Sequence, residues 1–231
     1  MDKLGYVPLP FDRVDLPEGW FSKYQVNILF QLVNLTTGPI LEIGPWVGRS
    51  TVVMCEALKR QKCKRRFISV DYGICSEEEW ETKFGEPVTN KTDPSRYLRH
   101  INQPEGNLTS LRRHLSDRGL TDLVEIRKGD FLEESFDSDF ALIFCDATHD
   151  NFEIDRNLPR LLSLLAPGGI LVCDDIRDEQ MVARVNSKAE FLWAHVDHAL
   201  FYGEPNNPRK DEGSGICNPS RSVGCAVSST P

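Results

Sequence analysis

The sequence lacks the features that would place it in several broad classes. No window approaches the roughly 20 apolar residues of a membrane span, and Met1 to Gly5 carries no apolar run of the kind found in a signal peptide. The chain is therefore expected to be cytoplasmic, with no membrane partner. Its seven cysteines are irregularly spaced and contain no CxxC, which argues against a disulfide framework or a structural zinc site. Cys145 and Cys173 lie in apolar strand-like runs and read as small buried hydrophobes. Cys217 and Cys225 could pair, but a reducing compartment disfavours it. Positive charge is in deficit, with a net charge of −8, and nucleic-acid affinity comes largely from Lys and Arg on phosphates, so no nucleic-acid partner is expected. The one basic run, Lys59 to Arg66, reads as the solvated end of a helix, where cations suit the dipole. There is no internal repeat, and 40% hydrophobic with 27% charged residues gives no sign of wholesale disorder.

What is present is an alternation of short apolar runs with helical patterns, the signature of a parallel sheet covered on both faces. Strands are expected at 39–43, 67–70, 123–127, 140–145 and 170–173. Helices are expected at 50–60, 108–118 and 151–165, the last stopped by Ala166-Pro167-Gly168-Gly169. Right-handed crossovers then give an α/β fold, a doubly wound, mostly parallel, Rossmann-like seven-stranded sheet in a single domain. Residues 20–35 carry a helical pattern within an N-terminal segment, 1–38, that packs on the core. The remainder, 39–231, forms the main domain, with insertions at about 72–106 and 203–221. Residues 190–202 and 222–228 are expected as the final strands. Inside the first insertion, helices are expected at 76–84 and 97–102, and the whole reads either as a lid beside the site or as a surface insertion.

Two segments carry the chemistry. The first is Glu42-Ile43-Gly44-Pro45-Trp46-Val47-Gly48-Arg49-Ser50-Thr51, a strand end, a glycine turn and a helix start, where a ligand can approach the backbone closely. Trp46 stands where a dinucleotide fold needs its second glycine, which disfavours a nicotinamide oxidoreductase. A P-loop is disfavoured too, because its lysine is missing. Asp71, at the next strand end, is placed to accept from ribose hydroxyls, and Asp130, after the third strand, to read the exocyclic amine of adenine.

This segment resembles the first motif of the class I S-adenosylmethionine-dependent methyltransferases, in the form used by catechol-type O-methyltransferases. The resemblance implies that Gly44 and Gly48 line the methionine part of S-adenosyl-L-methionine, with Glu42 and Trp46 in the same cofactor turn. It also implies that Ser50 hydrogen-bonds the methionine carboxylate, that Asp71 holds the ribose and that Asp130 lies near adenine.

The second segment is Phe144-Cys145-Asp146-Ala147-Thr148-His149, followed one crossover later by Val172-Cys173-Asp174-Asp175. Three carboxylates and an imidazole reach one rim of the sheet. Oxygen ligands suit Mg2+ or another hard divalent ion, so Asp146, Asp174 and Asp175 form the candidate metal set, and Asp146 also borders the cofactor. His149, with an intrinsic pKa near neutrality, is the expected general base. The D-x-x-H step and the later Asp-Asp pair resemble the metal-assisted small-molecule O-methyltransferases, including the antibiotic-sugar type, in which the matching acids hold Mg2+ and the matching histidine is the base. The expected activity is methyl transfer to a hydroxyl of a small-molecule acceptor. A metal-independent methyltransferase using His149 alone and a non-catalytic methyltransferase-like binding module are the alternatives. Oligomeric state is left open, a homo-oligomer included, and His195 and His198 are given no role.

Overall fold

The computed structural model describes residues 15–62, 64–197 and 199–206. Its elements in chain order are α1 (Lys23–Leu35), β1 (Ile40–Ile43), α2 (Arg49–Gln61), β2 (Phe67–Asp71), α3 (Glu77–Phe84), α4 (Pro94–Ile101), α5 (Asn107–Ser116), β3 (Glu125–Lys128), β4 (Phe140–Cys145), α6 (Asn151–Leu164), β5 (Leu165–Cys173), α7 (Glu179–Asn186), β6 (Phe191–Asp197) and β7 (Leu200–Pro205). They form a seven-stranded sheet in the order β3-β2-β1-β4-β5-β7-β6. The first five strands pair in parallel, while β7 runs antiparallel to both β5 and β6. The expected doubly wound, mostly parallel architecture is therefore present.

Strand alternation sorts the core into two layers. Ile40, Leu142, Phe144 and Val172 pack with α1, α2 and α5 on one face. Leu41, Ile43, Ile143, Cys145 and Cys173 pack with α6 and α7 on the other. Both faces of β1 and β4 are buried throughout, which is why these strands read as continuous apolar runs. Helix α1 starts cleanly because Ser22 and Gln25 form a reciprocal capping box.

Three expectations needed correction. Strand β5 starts at Leu165 rather than Ile170, so the helix-stopping Ala166 to Gly169 lies within the strand, at a register shift between the Phe140–Leu165 and Leu142–Ile170 pairs. Residues 190–202 are not one strand but most of an antiparallel hairpin, β6 and β7, with Ala199 at φ 65 beside its turn. Helix α7 was not foreseen; it begins at Asp178, whose side chain accepts from the Met181 N–H. The strand expected at 222–228, residues 207–221 of the second expected insertion, and Cys217 and Cys225 lie outside the described residues.

The first insertion, 72–106, carries α3, a 3-10 turn at Val88–Asn90 and α4. It has a small core of its own, Ile74, Trp80, Val88 and Ile101, with Trp46, Tyr72, Tyr97 and Leu98 packed against it. The carboxyl ends of β1, β2, β3, β4 and β5 thus open onto a rim bordered by this insertion and by the start of α1.

Candidate active site

The turn after β1 is fixed by sterics. Gly44 has φ +79, and a Cβ there would lie 2.5 Å from the Asp146 carbonyl oxygen; Gly48 has φ +99, and its Cβ would collide with the Leu111 side chain. Neither position tolerates a side chain, so the turn lies directly against β4 and α5. Trp46 also has positive φ, 51, a conformation costly for a bulky residue. What offsets that cost is packing: its ring meets Tyr97 at 5.7 Å, His100 at 5.9 Å and Trp80 at 6.3 Å between centroids. Helix α5 holds the turn from behind, through Asn107 Nδ2 to the Trp46 carbonyl at 2.9 Å and His114 Nδ1 to the Val47 carbonyl at 2.8 Å.

Glu42 faces away from this turn's ligand side. It is fully buried, and its carboxyl accepts from Ser50 Oγ at 2.6 Å, Thr51 Oγ1 at 2.7 Å and Ser69 Oγ at 2.6 Å. Burial raises its pKa to about 7. Glu42, expected in the cofactor turn, is thus enclosed by protein hydroxyls, and the Ser50 hydroxyl, expected on the methionine carboxylate, donates to Glu42 instead. What Ser50 still offers a carboxylate is its backbone N–H in the first turn of α2, where helix N–H groups lack intrahelical partners.

Asp71 sits at the rim, where its Oδ1 accepts from the Gly73 N–H at 2.8 Å. Burial pushes its pKa up, opposed by hydrogen bonds from Gly73, the Asn107 side chain and the Trp46 backbone. Asp130 does not stand free to await a base. Its Oδ2 receives Arg156 Nη2 at 2.6 Å and the Tyr72 hydroxyl at 3.3 Å, and its Oδ1 receives the Leu132 N–H at 3.1 Å.

At the end of β4 and β5, Asp146, His149 and Asp175 come together, one potential ligand atom from each lying within 4.8 Å of the others. His149 Nε2 is 3.9 Å from Asp146 Oδ1 and 3.8 Å from Asp175 Oδ2. The opposite ring nitrogen, Nδ1, is held by Glu153 Oε2 at 2.8 Å. This bond, seconded by Asp146 and Asp175, raises the His149 pKa to about 9. Burial, together with repulsion from Asp174 and Asp175, pushes the Asp146 carboxyl well above the usual range. Asp175 adopts φ 63 and is also paired with the exposed Arg177, at 2.8 Å.

Asp174, expected in the metal set, lies outside this cluster. It is buried and points to α1, accepting from Gln25 Nε2 at 2.7 Å, while burial raises its pKa to about 6. The donor set that does converge, two carboxylates and one imidazole around an open point, suits a divalent cation. Asp146 and Asp175 would hold it, with His149 alongside.

Residues outside the expected set include Gln25, Glu153, Arg156 and Tyr72. Glu153 had a signal: Asp150 caps α6 by accepting from the Glu153 N–H, and position i+4 from His149 brings the two side chains together. Gln25 had none, since it reaches Asp174 from 149 residues away.

A family profile described as a methyltransferase domain matches residues 41–176, which contain the glycine turn and every acid of the rim. The chain belongs to this family. It is a class I S-adenosylmethionine-dependent methyltransferase. Solved structures share the fold. A candidate O-methyltransferase from Klebsiella pneumoniae is 18% identical, with TM-score 0.57 over 86% of this chain and 92% of that one. The O-methyltransferase of Bacillus cereus, solved with SAH, is 20% identical, with TM-score 0.52 over 82% and 83%. The SAH-bound methyltransferase PaMTH1 of Podospora anserina is 15% identical, with TM-score 0.51 over 86% and 83%. No curated protein sequence matches the chain. Among the described residues of this methyltransferase, no helix is long and apolar enough to cross a membrane.

Proposed function

We propose that this methyltransferase transfers the methyl group to a hydroxyl of a small molecule, with a divalent cation, Mg2+ by its oxygen-rich donors, at Asp146 and Asp175. The observation that carries the reading is the open cluster of Asp146, His149 and Asp175, one strand over from the glycine turn, whose Gly44 lies against the Asp146 backbone. S-adenosylmethionine brings an already activated methyl, so the protein has to supply alignment and deprotonation. In this reading the Gly44 to Gly48 turn and the first N–H groups of α2 take the methionine end, Asp71 takes the ribose and Asp130 the adenine amino group. A cation at the rim lowers the pKa of a bound hydroxyl.

His149 Nε2 is the proton acceptor. Glu153 fixes the ring through Nδ1 and leaves Nε2 toward Asp146 and Asp175, the arrangement a general base requires. While Asp146 and Asp175 are uncompensated, their charges help to keep the imidazole protonated. A cation held by Asp146 and Asp175 would offset their charges beside Nε2, while Glu153 keeps the ring oriented.

The test is methyl transfer from labelled S-adenosylmethionine to a panel of phenols, catechols and sugars, with Mg2+ or with EDTA. The reading expects turnover on a hydroxyl compound that EDTA abolishes and Mg2+ restores. Turnover indifferent to both would make the carboxylates structural.

A further inference from the structure

One group of side chains lies at the nucleoside end of the rim, apart from the reacting cluster. Asp130 follows β3, and the adjoining Gly129 N–H donates to the Asp71 carbonyl at 2.8 Å, so the ends of β2 and β3 are tied together. Arg156 reaches this corner from α6, with Nη2 on Asp130 at 2.6 Å and Nη1 on the Tyr72 hydroxyl at 3.3 Å. Tyr72 closes the triangle by donating to Asp130 at 3.3 Å. From the insertion, Lys83 Nζ lies 4.2 Å from the centre of the Tyr72 ring, a cation–π contact that holds the ring from its other side.

We propose that Arg156 is a positioning residue for cofactor recognition, which with Tyr72 holds the Asp130 carboxylate oriented to accept from the nucleobase. The inference rests on the reading of Asp130 as the acceptor for the adenine amino group. An ionised carboxylate has about four acceptor positions. Here Oδ2 is filled by Arg156 and Tyr72 and Oδ1 has one protein donor, Leu132, which leaves one position on Oδ1 for a ligand. The Asp130 side chain is only 11% exposed, against 40% for Arg156, so Arg156 is the wet partner and Asp130 the shielded one. Without the guanidinium, a shielded carboxylate would keep only a hydroxyl and one backbone N–H. It would then be free to turn, and turning removes the oriented acceptor.

The same helix face carries Glu153, which holds His149, three residues before Arg156. The first two turns of α6 thus fix one side chain at each end of the site.

The test is calorimetric binding of S-adenosylhomocysteine and of S-inosylhomocysteine, in which a 6-oxo acceptor replaces the amino donor. The wild type is expected to prefer the adenosyl ligand. Arg156→Ala should weaken adenosyl binding about tenfold and lose most of that preference, because a carboxylate free to turn no longer presents a fixed acceptor to the amino donor. Arg156→Lys should restore part of both, and Tyr72→Phe should cost about twofold to threefold. The double variant with Asp130→Ala should bind no worse than Asp130→Ala alone. An Arg156→Ala protein whose affinity and preference match the wild type would overturn the proposal, as would tighter adenosyl binding, which would mean that Arg156 competes with the base. If Asp130→Ala keeps the full preference, the reading of Asp130 itself fails and the proposal falls with it. Should Arg156→Ala not fold, Arg156→Lys and Tyr72→Phe carry the comparison, and unchanged preference in both would overturn the proposal.

Discussion

Two carboxylate centres lie at neighbouring strand ends and differ in one respect. Glu42 is closed: it has no solvent exposure, and three hydroxyls donate to it. Asp146 and Asp175 are open: about a third of each side chain is exposed, and they face one half-exposed imidazole across 3.9 and 3.8 Å. A satisfied, enclosed acid is part of the framework. Acids left facing one another across an open point are costly to keep together and are the ones available to a ligand. The residue types are nearly the same at both centres, and what separates their roles is the supply of donors around each.

That contrast breaks if substitutions at the two centres have the same consequences. The largest expected effect is on activity at the open centre. Asp146→Ala should lower the rate by about a thousandfold or more, and His149→Ala by on the order of a hundredfold to ten-thousandfold, with melting temperatures close to wild type. Assays with saturating S-adenosylmethionine and thermal melts would show it. A large loss of stability in Asp146→Ala would erase the distinction.

At the closed centre the order reverses. Glu42→Ala orphans three hydroxyls and leaves a cavity between β1, β2 and α2, so it should destabilise the fold by about 3 kcal/mol, as read by denaturant titration. Its pH behaviour sharpens the point. The Glu42 pKa is raised from 4.5 to about 7 in the fold, so between those values the native state holds a proton that the unfolded chain has lost. Stability is then highest below the unfolded value and falls as pH rises through the folded one. The shift corresponds to at most about 3 kcal/mol. Asp146 and Asp174 are raised as well and add the same sign, so Glu42→Gln is the control. It should lose markedly less stability than wild type between about pH 5 and about pH 8, and an unaltered pH slope would remove Glu42 from the account.

The smallest effect concerns Asp174, which lies between the two cases, buried but with Gln25 as a partner. Gln25→Ala should cost about 1 kcal/mol of stability and reduce activity only severalfold, since Asp174 stands behind the open cluster rather than in it. A loss as deep as that of Asp146→Ala would return Asp174 to the metal set.

Much of the fold was legible because its signals are local. The run Phe140 to Cys145 is a strand buried on both faces and reads as one, and the pattern of α6 starts at its capping Asp150. The hairpin of β6 and β7 was hidden because its turn carries no Asn-Gly or Gly-Gly pair; Ala199 takes the positive φ instead. In the site, strand ends in the sequence placed Asp71, Asp146, Asp174 and Asp175 at one rim but not the directions of their side chains. That Asp175 faces His149 while Asp174 turns to α1 depends on a glutamine far away in the chain. That Glu42 is enclosed depends on Ser69 standing opposite it in the register of β1 and β2. Strand ends can be read from periodicity, whereas the partners of a side chain at a strand end come from elements the periodicity does not mention.

The most direct test of the open centre is titration of the protein with Mn2+, as a spin-active stand-in for Mg2+, followed by electron paramagnetic resonance. The account predicts one bound ion per chain in the wild type and in Glu42→Gln, and none in Asp146→Ala with Asp175→Ala. No binding by the wild type, or binding that survives loss of both aspartates, would contradict it.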